Sequence, residues 1–203
     1  MSVKSIGVKL ISAVMGLVLA ASASANLIVN GGFEDNAVAS GGWNYFSSAN
    51  VNGWEGSNIE IWNHLNGVVA PEGNQHAELN AHPYTGGVFS IYQSFATAIG
   101  QTYDVSFFYS ARTSSNESFT FSVGSLTSLI DDHVVGTWNQ YVNSFVANAA
   151  STTIRFTTTD NGTLGNFLDG ISVVGVKVPE SSSLALLLVG LLGMGAMRRK
   201  ARA

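Results

Sequence analysis

The 203-residue chain predicts an all-β fold, an antiparallel β-sandwich held between two apolar ends. Three observations carry this. About ten short runs alternate apolar with polar residues, which puts every second side chain on one face of a strand. Glycine- and asparagine-rich turn signals separate these runs at regular spacing, as in sandwiches. Nowhere between Asn26 and Lys177 do apolar residues recur with the period of an amphipathic helix. A barrel is the alternative closure for such a set of strands. No repeat or linker divides 26–177, so it reads as one domain large enough to bury its own core.

The elements follow in order. Leu27-Ile28-Val29 reads as a first short strand, stopped by Asn30-Gly31-Gly32, where paired glycines admit a tight turn. Phe33 returns to the core, followed by Glu34 and Asp35. Ala37 to Ser57 is rich in Gly, Ser and Asn and reads as a loop carrying Trp43, Tyr45, Phe46 and Trp54. Ile59 to Trp62 alternates as a strand, and Gln75 to Asn80 is another. Val88 to Phe95 alternates, with Phe89, Ile91 and Phe95 on one face. Thr102 to Ala111 is the clearest strand: Tyr103, Val105, Phe107 and Tyr109 face one way. Phe119 to Val123, Leu126 to Ile130 and Tyr141 to Ala147 follow. In the next strand Ile154 and Phe156 point inward, and the last strand starts at Phe167.

The two ends have their own patterns. Lys4 and Lys9 precede an apolar stretch, Leu10 to Ala21, and Ala23-Ser24-Ala25 is an A-x-A cleavage site, so 1–25 reads as a signal peptide. The tail, 178–203, has a Val178-Pro179-Glu180 box, a small polar run, uncharged residues from Leu184 to Met197, and Arg198, Arg199, Lys200 and Arg202. Its apolar helix, 184–197, is short for a bilayer, which takes roughly 20 residues. A greasy segment between a processing box and a basic end reads as a sorting signal. The tail resembles the bacterial PEP-CTERM signal, although Ser181 stands where the usual box has a second proline. That resemblance implies an exosortase-type partner, transient anchoring in the inner membrane, and delivery to the cell envelope or beyond. It also implies a Gram-negative cell that makes extracellular polysaccharide. A plain membrane anchor is the simpler alternative.

Charge narrows the partners. The whole chain carries −4, but between Asn26 and Lys177 twelve acids face only Arg112, Arg155 and Lys177, a net −9. Such a domain is a poor partner for nucleic acid and is compatible with a divalent cation or a neutral polymer. There is no cysteine, so an exported domain must be stabilised by its core and, where present, a metal ion.

Four stretches occur in a telling order: Asn30-Gly31-Gly32-Phe33-Glu34, Gly53-Trp54, Tyr103-Asp104-Val105-Ser106-Phe107, and Phe167-Leu168-Asp169-Gly170-Ile171-Ser172-Val173. The set resembles the galactose-binding-like jelly roll of many carbohydrate-binding modules, and is also similar to a related secreted plant cell-wall domain. The resemblance implies that the first and last strands pair. It also implies a structural Ca2+ held by Glu34, Asp169 and the Gly32 backbone carbonyl, hard oxygen donors of the kind calcium takes.

Sugars are held by aromatic faces and hydroxyl-orienting polar groups. Trp43, Trp54, Trp62 and Tyr84 are the candidate platform, with Arg112, Glu60 and Asn80 as polar partners; burial in the core is the competing role for Trp54 and Trp62. For an enzyme, His76 and Glu78 share a strand face as a possible metal pair, and Glu60 with Glu78 is a possible hydrolytic carboxylate pair. No HExxH, no Cys/His cluster and no G-x-S-x-G accompanies them. Asp131-Asp132-His133 reads as a solvated turn. The expectation is therefore a non-catalytic domain that binds extracellular or envelope polysaccharide. The alternatives are a structural or adhesive surface protein without a defined sugar site, and a hydrolase.

Overall fold

The computed structural model describes residues 25–84, 86–113 and 117–176. The expected signal peptide, apart from Ala25, and the expected sorting tail lie outside the described residues. The chain forms β1 (Gly42–Phe46), β2 (Glu55–Gly56), β3 (Ile59–Asn63), β4 (Gln75–Glu78), β5 (Ser90–Ala96) and β6 (Thr102–Ala111), then β7 (Phe119–Val123), β8 (Leu126–Ile130), β9 (Asn139–Val146), β10 (Ser151–Thr158) and β11 (Asn166–Gly175). Two antiparallel sheets result, a six-stranded one ordered β1-β3-β4-β11-β6-β9 and a five-stranded one ordered β2-β5-β10-β7-β8. The all-β sandwich that the alternation predicts is the fold observed.

The core lies where the alternation puts it. Tyr103, Val105, Phe107 and Tyr109 of β6 face inward, as do Phe119 and Phe121 of β7 and Ile154 and Phe156 of β10. Phe107 is the hub: its ring centroid is 4.9 Å from Phe121 and 5.1 Å from Phe156, the latter edge-on at 90°. Edge-to-face and offset arrangements suit the ring quadrupole. Each fully buried side chain of this size stabilises the fold by roughly 1.5–3 kcal/mol from area alone.

Two predicted elements differ. Within 37–57, read as a loop, Gly42–Phe46 forms the edge strand β1, paired with β3 from Gly42↔Asn63 to Phe46↔Ile59. Its aromatic side chains favour a pleated surface, and that preference outweighs the Gly- and Asn-rich composition around it. Conversely, Leu27–Val29 makes no ladder. It runs beside β11 through Leu27 N–H to Val173 O (2.8 Å), while the Asn26 side chain accepts from Val173 N–H (2.9 Å) and donates to Ile171 O (3.3 Å). An amide side chain thus replaces ladder bonds.

This end-to-end contact shapes β11. The register slips between Asp169 and Ser172, a bulge with Gly170 at φ 56°. Gly31 presses against it: a Cβ there would stand 2.1 Å from the Ile171 carbonyl oxygen. The turn of Gly31-Gly32 therefore lies against the bulge that carries Asp169.

Candidate functional site

The outward face of the six-stranded sheet carries the polar and aromatic residues that alternate with the core. Ile59 and Ile61 of β3 belong to the core, so Glu60 and Trp62 face out; Ala77 of β4 is core, so His76 and Glu78 face out. Register then aligns two rows. One runs Trp43, Trp62, His76 across β1, β3 and β4. The other runs Tyr45, Glu60, Glu78, Phe167, Ser110 across β1, β3, β4, β11 and β6.

Arg112, just past β6, reaches over this face. Its guanidinium carbon lies 4.6 Å from the Trp62 ring centroid, a cation–π contact. One nitrogen, Nη1, donates to both Glu78 oxygens at 2.8 Å and to the Thr163 carbonyl at 3.2 Å. The Arg112 backbone is fixed from below, since its N–H donates to Glu117 Oε2 at 2.6 Å. The Thr113 N–H and hydroxyl both donate to Glu117 Oε1.

Glu78 is fully buried and also accepts the Gly165 N–H at 2.9 Å. Burial pushes its carboxyl up to about 8 against the pull of Arg112, and the neighbouring Glu60 adds to the rise. Glu60, 3 % exposed, is satisfied by the Trp62 indole N–H (2.7 Å) and the His82 N–H (3.0 Å). The two carboxylates thus stand side by side in register at the base of the sheet, not across a cleft from one another. His76 is completely buried among Trp62, Trp138 and Phe167, with ring centroids 6.0, 5.3 and 4.6 Å away. Neither ring nitrogen has a hydrogen-bond partner among the described residues, and burial, with His64 nearby, lowers the imidazole to about 4.

A cleft of about 670 Å³ opens on this surface. The buried Trp62 and Phe167 form its floor, and Arg112 and Trp138 also line it. The 66–69 and 135–138 segments wall it, and the Trp138 indole N–H ties them together by donating to Val69 O at 2.9 Å. A smaller hollow of about 160 Å³ shares Arg112 and is lined by Trp43, Glu60, His82, Thr163 and Leu164. Trp43, 44 % exposed, and Tyr45 both set ring edges against His82.

The structure therefore gathers Trp43, Trp62, Arg112 and Glu60 of the sequence candidates, and leaves three outside. Trp54 is a core residue, stacked on Phe33 at 5.4 Å with its indole N–H on Asn30 O. Asn80 is buried, and its amide braces the Asp160 and Gly162 carbonyls. Tyr84 is exposed but lines neither hollow. Trp62, 2 % exposed, is a floor under Arg112 rather than an open platform. Trp138 and Phe167 were not singled out by the sequence. Phe167 had a signal: it alternates with the core residue Leu168, which sends a large ring to the outer face. His133, read as part of a solvated turn, is buried, stacked on Phe119 at 6.3 Å and bonded to Asn166 Nδ2 at 2.9 Å.

Beside the bulge, Glu34 and Asp169 both accept backbone N–H groups of the 72–75 segment. Glu34 Oε1 accepts the Asn74 and Gln75 N–H groups, both at 2.7 Å. Asp169 Oδ2 accepts Glu72 N–H at 2.8 Å and Oδ1 accepts Gly170 N–H at 2.7 Å. Burial pushes Asp169 up to about 7, and the negative charges of Glu72 and Glu34 push the same way. A Cβ on Gly32 would lie 3.6 Å from Asp169 Oδ1 and 3.5 Å from the Glu72 carboxyl carbon. These are hard oxygen donors of the type a calcium ion takes. Among the described residues no group of three or more Asp, Glu, His or Cys side chains stands at metal-holding spacing.

No family model matches the chain, and no curated protein matches its sequence. Solved structures do. The chain resembles a CBM61 module bound to β-1,4-galactotriose at a TM-score of 0.50 and 14 % identity, over 75 % of this chain and 100 % of that one. It resembles an arabinose-bound GH51 α-L-arabinofuranosidase at 0.52 and 14 %, over 77 % of this chain and 27 % of the other. It resembles the enzymatically active domain of tailspike protein 4 of bacteriophage CBA120 at 0.51 and 13 %, over 74 % and 21 %. The chain thus spans only about a quarter of the hydrolase and a fifth of the tailspike. At these identities the likeness is one of fold: a β-sandwich of the kind found in carbohydrate-binding modules.

Proposed function

We propose that this domain is a non-catalytic, exported module that holds an extracellular or envelope polysaccharide in the cleft over its six-stranded sheet. The observation that carries the reading is the cleft itself. Its about 670 Å³ lies in the range of small-ligand sites. Its lining includes Trp138, an apolar surface for a sugar ring, over the buried Phe167, with Arg112 and Asn66 as hydroxyl partners. The smaller hollow beside Trp43 continues the surface, which suits a chain better than a single sugar. The glycan-bound module among its structural neighbours supports the reading at the level of fold.

A binding role without chemistry accords with the carboxylates. Glu60 and Glu78 are each occupied by partners and buried, so neither is free to approach a glycosidic bond. Hydrolysis needs an acid and a second carboxylate flanking the bond. A polysaccharide pull-down with the purified protein, read beside a reducing-sugar assay, tests this: retention without sugar release is expected, and release would contradict it.

Two further parts of the reading concern stability and address. A calcium ion held by Glu34, Asp169 and the Gly32 carbonyl would neutralise the convergent charge beside the bulge and pin the first segment to β11. The tail, with Pro179-Glu180 and the Arg198, Arg199 and Lys200 cluster, would deliver the domain through an exosortase-type enzyme to the cell envelope. Mass measurement of the protein recovered from envelope fractions tests the delivery. Loss of the residues after the 178–180 box is expected, and an intact tail would contradict it.

A further inference from the structure

The charges on this domain are distributed unevenly about the cleft. Twelve acids lie between Asn26 and Lys177, and none of them lines the larger cleft. Among the described residues the one charged group that does is Arg112. For a segment of net −9, a cleft lined by no acid and by one guanidinium stands apart from the rest of the domain.

Arg112 is paired, but only in part. All three of its recorded side-chain bonds, to Glu78 Oε1, Glu78 Oε2 and Thr163 O, use Nη1. Nε and Nη2 make no hydrogen bond among the described residues, and the side chain is 24 % exposed. The guanidinium plane is held over Trp62, and its backbone is clamped by Glu117. A rigid fork with two free N–H edges matches the two oxygens of a carboxylate. Glu60 faces the smaller hollow and is spent on Trp62 and His82, while Glu117 accepts from the Arg112 N–H and from Thr113. The other polar groups on the cleft wall, Asn66, Ser110 and Thr113, are uncharged.

We infer that the polysaccharide this cleft takes is acidic: Arg112 pairs the carboxylate of a uronate residue through Nε and Nη2, while the sugar ring rests against Trp138. This rests on the polysaccharide-binding reading above and names the ligand class of the same site. A polyanion is otherwise repelled by the domain's charge, so its binding would report the cleft and not general attraction.

The test is a titration of the purified protein with polygalacturonate, with the same polymer after carboxyl reduction, and with dextran sulfate. Trp138→Ala, Arg112→Gln and Arg112→Lys variants run in parallel, each checked by its melting curve. The expected result is binding of polygalacturonate, about tenfold or more weaker after carboxyl reduction, since a hydrogen bond to a charged group carries that much. Arg112→Gln should show the same loss, Arg112→Lys a smaller one, Trp138→Ala should abolish binding, and dextran sulfate should bind weakly. Equal binding of the reduced polymer would overturn the acidic assignment and leave the polysaccharide reading standing. Equal binding of dextran sulfate would overturn carboxylate recognition. Binding of none of these polymers or of any neutral glycan by folded protein would overturn both readings. The polymer comparison needs no variant, so a misfolded Arg112 substitution does not blunt it.

Discussion

Trp43 on β1 stands directly opposite Trp62 on β3, on the same face of the sheet, yet one ring is 44 % exposed and the other 2 %. Trp62 lies under the Arg112 guanidinium and against Phe167 and His76, while Trp43 sits on the edge strand β1 beside the smaller hollow. Two tryptophans in one register pair therefore serve different ends. Trp62 is packing and Trp43 is open surface.

Substitution separates these roles. Trp62→Ala should cost about 3–5 kcal/mol of stability, as for other buried aromatic truncations. Trp43→Ala should change stability by no more than about 0.5 kcal/mol while weakening polysaccharide binding. Urea unfolding of the two variants, each beside a pull-down, checks both.

The buried Glu78 and His76 pull stability in opposite directions with pH. Glu78 has a folded value of about 8 against 4.5 for an ordinary carboxyl, so the folded state binds the proton more tightly and stability falls as pH rises from 4.5 to 8. His76 has a folded value of about 4 against 6.5, so its contribution is lost as pH falls from 6.5 toward 4. Between 4.5 and 6.5 the two oppose; Asp169, with a folded value of about 7, adds its own loss up to that pH, and between 7 and 8 the Glu78 loss stands alone among these three. Glu78→Gln should flatten the fall above pH 6.5. Melting curves at half-unit pH steps for wild type and variant check it, and parallel curves above 6.5 would count against a raised Glu78.

Calcium should stabilise the wild type and not Asp169→Ala. At about a hundredfold excess over its Kd the ion contributes roughly 2.7 kcal/mol, a rise of about 5–10 °C for a domain of this size. Differential scanning of both proteins in calcium and in chelator reads this directly, and an unchanged wild-type Tm would dispose of the site.

Gly31 is a steric necessity of the closure between the first segment and β11. Gly31→Ala puts a Cβ 2.1 Å from a backbone carbonyl that cannot move without opening the bulge. A loss of more than about 2 kcal/mol in urea unfolding is expected; a neutral effect would show that this contact yields easily.

How far the sequence foretold this varies by element. The strands whose alternation feeds the core, above all Thr102–Ala111 with Tyr103, Val105, Phe107 and Tyr109, were legible because burial imposes period two on them. β1 was not, since an edge strand with an exposed, half-polar pattern carries little of that signal. Trp54 and Trp62 showed the limit at the site: what covers them is Phe33 in one case and Arg112, fifty positions away, in the other. Their burial is a property of the assembled sheets. The cleft likewise depends on Trp138 meeting Val69 across the fold, a pairing that no local pattern announces.

The central claim is that the cleft between Trp138 and Arg112 holds a polysaccharide. Its most direct test is glycan-array binding by the purified wild-type protein and by Trp138→Ala, with melting curves confirming that both are folded. Binding of the wild type to a defined set of polysaccharides, lost in Trp138→Ala, is the predicted result. Silence of the folded wild type across the array, or binding that survives Trp138→Ala unchanged, would contradict it.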